Sequence, residues 1–250
     1  FHFVKDPANY FYSTDAIRSK PRQSKVVNGS IVSATGVSGV KYKRKIELST
    51  ELSEEEKTNA FKALEEMIIP DILANKKTGP LNIWSAAASM GKEAYTIAMV
   101  LSSMSDSRAK NFKILGTDLN QNVLDIAAQG EYDIKDMKGI DSRYKKYIIE
   151  KSAEGLAQMV PELKKNIEWK RYNLKDTFTR FPKMDVIFCR NVFIYFPKEV
   201  QRDIVSRFYA QLNVGGYFIL GHSETLNGIS DAFEYRKFKN ENLMIYQKVK

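Results

Sequence analysis

Two stretches of this chain carry residue types whose spacing has a definite chemical use. Residues 81–104, LNIWSAAASMGKEAYTIAMVLSSM, begin with an apolar run in which Leu81, Ile83 and Trp84 suit a buried strand. The small residues Ser85, Ala86, Ala87, Ala88 and Ser89 follow, then Gly91, and then Tyr95, Ile97, Ala98 and Leu101 at helical spacing. A strand, a turn without bulky side chains and a helix let a ligand reach the backbone beside the first N–H groups of the helix. The turn lacks the full glycine fingerprint of a nucleotide-binding fold, so an ordinary strand-to-helix connection is the competing reading. The second stretch, residues 112–118 (FKILGTD), places Asp118 at the end of a second strand. In an open parallel sheet an acid there accepts hydrogen bonds from two ribose hydroxyls. Its alternative use is to cap the helix through Val123 and Ala128, a job for which Asn120 is also placed.

Other chemistries find little material. One cysteine, Cys189, excludes an internal disulfide and fits a reducing compartment, and the two histidines, His2 and His222, lie too far apart in sequence to suggest a zinc site. No apolar run is long enough to span a membrane, and the opening FHFVKDPANY does not read as a signal peptide. The 250 residues, 43% hydrophobic and 28% charged, suit one large soluble domain with or without a small appendage. The formal charge of +9 is uneven, with nine Lys or Arg against three Asp or Glu in residues 1–50. Such a basic arm attracts nucleic acid, anionic lipid or an acidic protein, or is simply a solvated segment.

The elements that must position these residues follow in order. Residues 1–12 are aromatic-rich and suggest a packed segment, and 13–24 read as a loop. Asn28-Gly29 between β-branched residues signals a hairpin, and alternation over 40–48 predicts another strand. Ser53 with Glu56 is a capping box for a helix whose buried face is Ala60, Phe61, Leu64 and Ile68, with Pro70 marking a break near its end. Residues 130–160 read as helical and charged, an insertion beside the sheet. Residues 167–174 and 184–191 are the third and fourth strands, the latter apolar almost throughout and therefore central. An amphipathic helix over 198–212 ends at Gly215-Gly216, a fifth strand covers 217–220, and 233–239 with 243–249 form a closing hairpin. Alternating β and α units of this kind predict an α/β fold. The sheet is seven-stranded and mainly parallel, the Rossmann-like plan of class I methyltransferases dependent on S-adenosylmethionine (SAM). The predicted division is an N-terminal arm, 1–52, and a methyltransferase domain, 53–250, with a small subdomain over 131–168.

Four motifs then become specific: MDVIFCRNVFIYF at 184–196, WSAAASMGKEAYTIAM, TDLNQNVLDIAAQGEY and GGYFILGHSE. Together, and in this order, they resemble the CheR family of chemotaxis receptor methyltransferases, over residues 70–250. The resemblance implies methyl transfer from SAM to glutamate side chains of chemoreceptors, with S-adenosylhomocysteine as product. It implies that the turn of Ser85, Ala86, Ala87, Ala88 and Gly91 lines the methionine end of SAM with Glu93 near its amino group. Asp118 would take the ribose hydroxyls, and Asn173 and Leu174 would flank the adenine. Arg190 and Asn191 would end the fourth strand beside the cofactor, with Arg190 and Tyr195 facing the methyl group and the incoming carboxylate as catalytic residues. A carboxylate is ionised at neutral pH and needs alignment rather than a base, which an arginine fork provides.

The sequence departs from the family pattern in three places. Lys92, Glu93 and Ala94 stand where the family has two acids and a proline, so Lys92 either faces the cofactor's positive charge or points to solvent. The family's Phe-Phe-Arg loop is matched only loosely by Phe3-Val4-Lys5-Asp6-Pro7. Residues 13–58 look inserted, and the family's small β-subdomain would fall within 151–168. The expected protein is cytoplasmic, acts on a chemoreceptor or similar acidic protein, and inserts in no membrane. Two rivals are a regulatory module of the same fold with weakened catalysis and a nucleic-acid methyltransferase. Arg190-Asn191-Val192-Phe193 in place of an Asn/Asp-Pro-Pro-aromatic loop argues against the second.

Overall fold

The computed structural model describes residues 25–27, 30–32, 54–137, 140–178 and 181–250. Strands β1 (Lys25–Val27) and β2 (Ser30–Val32) pair antiparallel with Val27 opposite Ser30, on either side of the expected hairpin signal, which itself lies outside the described residues. The expected segments at 1–12 and 40–48, Ser53 of the capping box and the loosely matched Phe3–Pro7 loop lie outside the described residues. The chain divides into two compact units, Phe1–Lys57 and Thr58–Lys250, and the second holds the layers that matter for the site.

Helix α1 (Glu54–Ala63) runs into a π-helical stretch, Leu64–Ile68, and then into α2 (Ile69–Asn75). Proline cannot donate to the helical ladder. The wider turn just before it, closed by Ile69 N–H to Leu64 O, lets the chain pass Pro70 and stay helical to Asn75. The predicted break is therefore a change of pitch, and it keeps Ala60, Leu64 and Ile68 on one buried face.

Strand β3 (Leu81–Ala86), α3 (Lys92–Ser103), β4 (Phe112–Asp118) and α4 (Gln121–Gln129) follow as two consecutive β-α units. The next segment corrects the expectation of a helix over 130–160. It forms a separate antiparallel sheet of β5 (Glu131–Asp133), β6 (Ile148–Lys151) and β7 (Leu156–Met159), in the order β5-β7-β6. Each strand has only three or four residues, too few to show a period of two. The alternation survives in β7, where Ala157 and Met159 are buried and their neighbours are not.

A single helical turn, α5 (Pro161–Lys164), leads to β8 (Ile167–Arg171). Then come β9 (Met184–Cys189), α6 (Lys198–Gln211), β10 (Leu212–Leu220), β11 (Glu234–Tyr235) and β12 (Ile245–Gln247). The main sheet has the order β11-β12-β10-β9-β3-β4-β8. Strands β10, β9, β3, β4 and β8 are parallel, while β12 runs antiparallel to both β10 and β11. Gly215-Gly216 does not end α6. The helix stops at Gln211, and the glycines sit inside β10, where the register against β9 shifts between Leu212 and Tyr217. Gly215 takes φ +81 there.

Strand β9 is buried at every position, as a central strand must be. Alternate residues of the sheet serve opposite faces. Ile83 joins the aliphatic core with Ile68, Ile97 and Leu101. Its neighbour Trp84 points the other way, edge-on to Phe178, Phe181 and Phe208 at 4.9, 5.0 and 5.1 Å, and its indole N–H donates to Thr117 Oγ1 at 2.9 Å. Gly116 is required by packing, because a Cβ there would lie 2.3 Å from Trp169. Among the described residues no helix is long and apolar enough to cross a membrane.

Candidate functional site

The strand order reverses between β3 and β9, which are themselves parallel: β4 and β8 lie on one side of β3, β9 and β10 on the other. Ligands of open α/β sheets bind at such a switch point, outside the carboxyl ends of the strands. The predicted residues sit at those ends. Ser85 and Ala86 are the last residues of β3, paired with Gly116 and Thr117, so the turn proper begins at Ala87. Ala86 and Ala88 are buried, and Ala87 and Ser89 adopt φ of +59 and +50. Left-handed conformations cost non-glycine residues free energy and gather where function needs the backbone bent.

Gly91, at φ +83, closes the turn. Its N–H donates to Ala88 O at 2.9 Å, and a Cβ on it would lie 2.5 Å from Trp169 and 2.7 Å from the Ala127 methyl. The residue makes room for packing, and its N–H is engaged within the turn. Glu93, in the first turn of α3, accepts from Ser85 Oγ at 2.7 Å. Arg190, just past β9, approaches it with Nη1 at 3.5 Å from Oε2, and the arginine side chain is only 11% exposed. Burial pushes the Glu93 carboxyl upward in pKa, against the pull of Arg190 and Ser85. The Arg190 guanidinium also lies 5.6 Å from the ring centroid of Phe61, which stacks on Phe188. Helix α1 thereby supplies one wall beside the arginine.

Asp118 is the last residue of β4, on the far side of the turn. Its Oδ2 accepts from Ser89 N at 2.9 Å and its Oδ1 from Asn120 N at 3.0 Å. Burial raises its pKa while those N–H groups lower it. The helix cap falls to Asn120, whose Oδ1 accepts from Asn122 N at 2.9 Å. Tyr172 N donates to Asp118 O at 2.8 Å, which brings the loop carrying Asn173 and Leu174 alongside the acid. Leu174 is buried, and Asn173 Oδ1 holds Lys175 N at 3.0 Å.

Two half-buried carboxylates thus flank a turn of small side chains, tied to it by Ser85 and Ser89. That donor set fits a ligand with an ammonium at one end and a vicinal diol further along, which is the chemistry of SAM. Cys189 does not add a nucleophile: burial holds its thiol well above the usual pKa, with Glu224 and Glu93 pushing the same way.

Lys92 points away from this site. Its ammonium pairs with Asp136 at 2.8 Å and lies 5.8 Å from the Tyr132 ring centroid, while Tyr132 Oη donates to Met90 O at 2.7 Å. The small sheet is fastened to the turn by these contacts. Asn191 takes φ +61, and the segment then enters a short 3-10 turn, Phe193–Tyr195, on which Tyr195 is half-buried.

The sequence reading missed the carboxylate beneath that segment. Glu224, 4% exposed, accepts from the backbone N–H of Asn191, Val192, Phe193 and Gly221 at 2.7–2.9 Å. Its signal was the GHSE that closes the fourth motif, an acid in an otherwise apolar and small-residue stretch.

The profile described as "CheR methyltransferase, SAM binding domain" matches residues 55–241. The chain belongs to the CheR methyltransferase family. A relative, the chemotaxis protein methyltransferase Cher2 of Pseudomonas putida, is 34% identical over 182 residues, covering 71% of this chain and 66% of that protein. The probable chemotaxis protein methyltransferase of Rhizobium etli is 37% identical over 173 residues, 67% of this chain and 65% of its own length. The chemotaxis protein methyltransferase of Borreliella burgdorferi is 35% identical over 176 residues, covering 67% of this chain and 62% of its own length. The chain therefore spans just under two thirds of these relatives. Among solved structures, plantazolicin methyltransferase BpumL with S-adenosylhomocysteine is similar at a TM-score of 0.42 and 16% identity over 72% of this chain and 52% of that one, too slight to add to the family match. The CheR-family domain matched here is the SAM-binding one, and SAM is the cofactor of this fold.

Proposed function

We propose that this chain transfers a methyl group from SAM to glutamate side-chain carboxylates of a methyl-accepting chemoreceptor or a similar acidic protein. The observation that carries the reading is Arg190, fixed at the end of β9 with its guanidinium within 3.5 Å of Glu93. Bound at the switch point, SAM supplies an electrophilic methyl group carried on a sulfonium.

The chain's own residues divide the remaining work. Glu93 holds the amino group, Asp118 the ribose hydroxyls, and Asn173 and Leu174 the adenine, with Ala86, Ala87 and Ala88 providing space for close approach. Asn191 shapes the strand end. The acceptor glutamate is already ionised near neutral pH, so no base is required of the protein. It must lose water and be aligned. Arg190 offers two parallel N–H donors to its two oxygens, and Tyr195 adds a hydroxyl and a ring at the same end. Phe61 keeps water from the arginine. With Lys92 held by Asp136, no charge of the turn opposes the cofactor. The single cysteine, a buried free thiol, suits a reducing compartment such as the cytoplasm.

The test is transfer from SAM with a labelled methyl group to receptor fragments. We expect incorporation that alkali releases as volatile methanol, the signature of a carboxyl ester. Label stable to alkali would point to an N-methyl product and overturn the assignment, as would the absence of transfer from a chain that binds SAM.

A further inference from the structure

The catalytic reading places Arg190 and Tyr195 on one loop but leaves open what holds that loop still. We infer that Glu224 is a positioning residue, a buried carboxylate that fixes the 190–196 segment at the acceptor end of the site through its peptide N–H groups. The inference rests on the function proposed above and extends it to a residue that does not touch substrate.

The geometry is specific. Glu224 Oε1 accepts from Val192 N and Phe193 N, both at 2.7 Å; Oε2 accepts from Asn191 N at 2.9 Å and Gly221 N at 2.8 Å. Three consecutive amides aimed at one carboxylate form an anion nest, and the left-handed φ of Asn191 is what turns them inward. Gly221 completes the fit, because a Cβ there would lie 2.1 Å from Asn191 Oδ1 and 2.9 Å from Glu224 Oε2. The far end of the segment is held separately: the Gln201 amide, from α6, donates to Phe193 O and Phe196 O, each at 2.8 Å. Arg190 is thus the residue immediately before a clamp, and Tyr195 lies between its two ends.

Four N–H donors on two oxygens also explain why the residue is an acid. A glutamine of the same shape has one acceptor oxygen, and its NH₂ would face two N–H groups. Removing a partner from a buried, charged set of hydrogen bonds leaves donors unsatisfied. Val192, Phe193 and Phe196 remain buried, with Phe193 edge-on to Phe218, so the segment stays attached and the consequence is local.

The experiment compares the wild-type chain with Glu224→Gln by amide hydrogen exchange, SAM calorimetry and methyl transfer to a receptor fragment. In the wild type, the Val192 and Phe193 amides should be protected. In Glu224→Gln we expect exchange over 191–193 to quicken at least about tenfold while β3 amides are unchanged. The SAM dissociation constant should stay within about threefold and kcat should fall roughly 100-fold, a split that a general loss of stability would not give. Glu224→Asp, which keeps the charge, should recover part of both. Unchanged protection in Glu224→Gln overturns the inference, and so does faster exchange with full kcat. Should Glu224→Gln not fold, unprotected Val192 and Phe193 amides in the folded wild type would overturn it equally. If the wild type transfers no methyl group, the proposed function fails, and the exchange comparison still decides whether Glu224 holds the segment.

Discussion

Arg190 and Glu93 face each other at 3.5 Å, longer than a tight ion pair, and the proposed function gives each a second use when a ligand arrives. Glu93 can turn to an ammonium and Arg190 to a carboxylate without either charge being left alone in a buried place. Arg190→Lys should therefore lower kcat/KM for the protein acceptor by about 100-fold, because lysine keeps the charge and loses the two parallel donors. The SAM dissociation constant, read by calorimetry, should shift little; wholesale loss of SAM affinity would move Arg190 into the cofactor site. Asp118→Ala should weaken SAM binding at least about tenfold, since charge-assisted hydrogen bonds are worth roughly 1.5–3 kcal/mol each. Unchanged affinity in a folded variant would take Asp118 out of the site. Glu93 also fixes a pH dependence. Its folded-state pKa is raised by burial, so protonation begins at a higher pH than for an ordinary glutamate. SAM affinity should decline as pH falls through that raised value, and Glu93→Gln should bind SAM weakly with this part of the decline removed, leaving only the part due to Asp118, whose pKa burial also raises. The stability linkage has the opposite sense. Between the unfolded and folded pKa values the folded chain holds more proton, so this group's contribution to stability grows as pH falls through that window.

Elements hold these residues by packing as much as by hydrogen bonding. Trp169, on β8, lies across the faces of Gly116 in β4 and Gly91 at the start of α3, and its ring fills the space that two side chains would need. The consequence is that strand, turn and helix meet at one aromatic ring. Gly116→Ala, at a position with no left-handed φ, isolates the steric term. It should destabilise the fold by about 1–3 kcal/mol through overpacking. The check is the urea midpoint, which should drop with an unchanged slope. A midpoint equal to the wild type would show that Trp169 swings aside at little cost. The π-helical turn before Pro70 acts at the same scale, since it keeps the Phe61 wall and the Ile68 core face on one continuous helix.

At the scale of the described 58–250 unit, the three-stranded sheet of β5, β7 and β6 is joined to the SAM turn by Tyr132 on Met90 and Lys92 on Asp136. The Lys92 ammonium and its partner are both exposed, 47% and 42% by side chain. Such a pair is worth about 0–1 kcal/mol, so the tyrosine and the buried Ala157 and Met159 face carry most of the attachment. Lys92→Ala should accordingly leave SAM affinity within about threefold in calorimetric titration. A large gain in affinity would mean that the lysine charge reaches the cofactor after all.

The sequence by itself determined the order of the β and α units outside 130–160, the burial of β9, the small-residue turn after β3 and the acid at the end of β4. Each of these is written in composition or in a period that spans several residues, which is why it can be read along the chain. For the α4 cap the sequence offers both Asp118 and Asn120, and the fold decides for Asn120 by giving Asp118 two backbone donors of its own. The strands of the small sheet were too short to show their alternation. Arg190 meets Glu93 across 97 positions, and Glu224 meets the amides of 191–193 across 31 to 33. A carboxylate bound by peptide N–H groups leaves no complementary side chain in the sequence to signal its partner, because every residue but proline carries the same donor. Only the tertiary structure decides which of those identical donors converge.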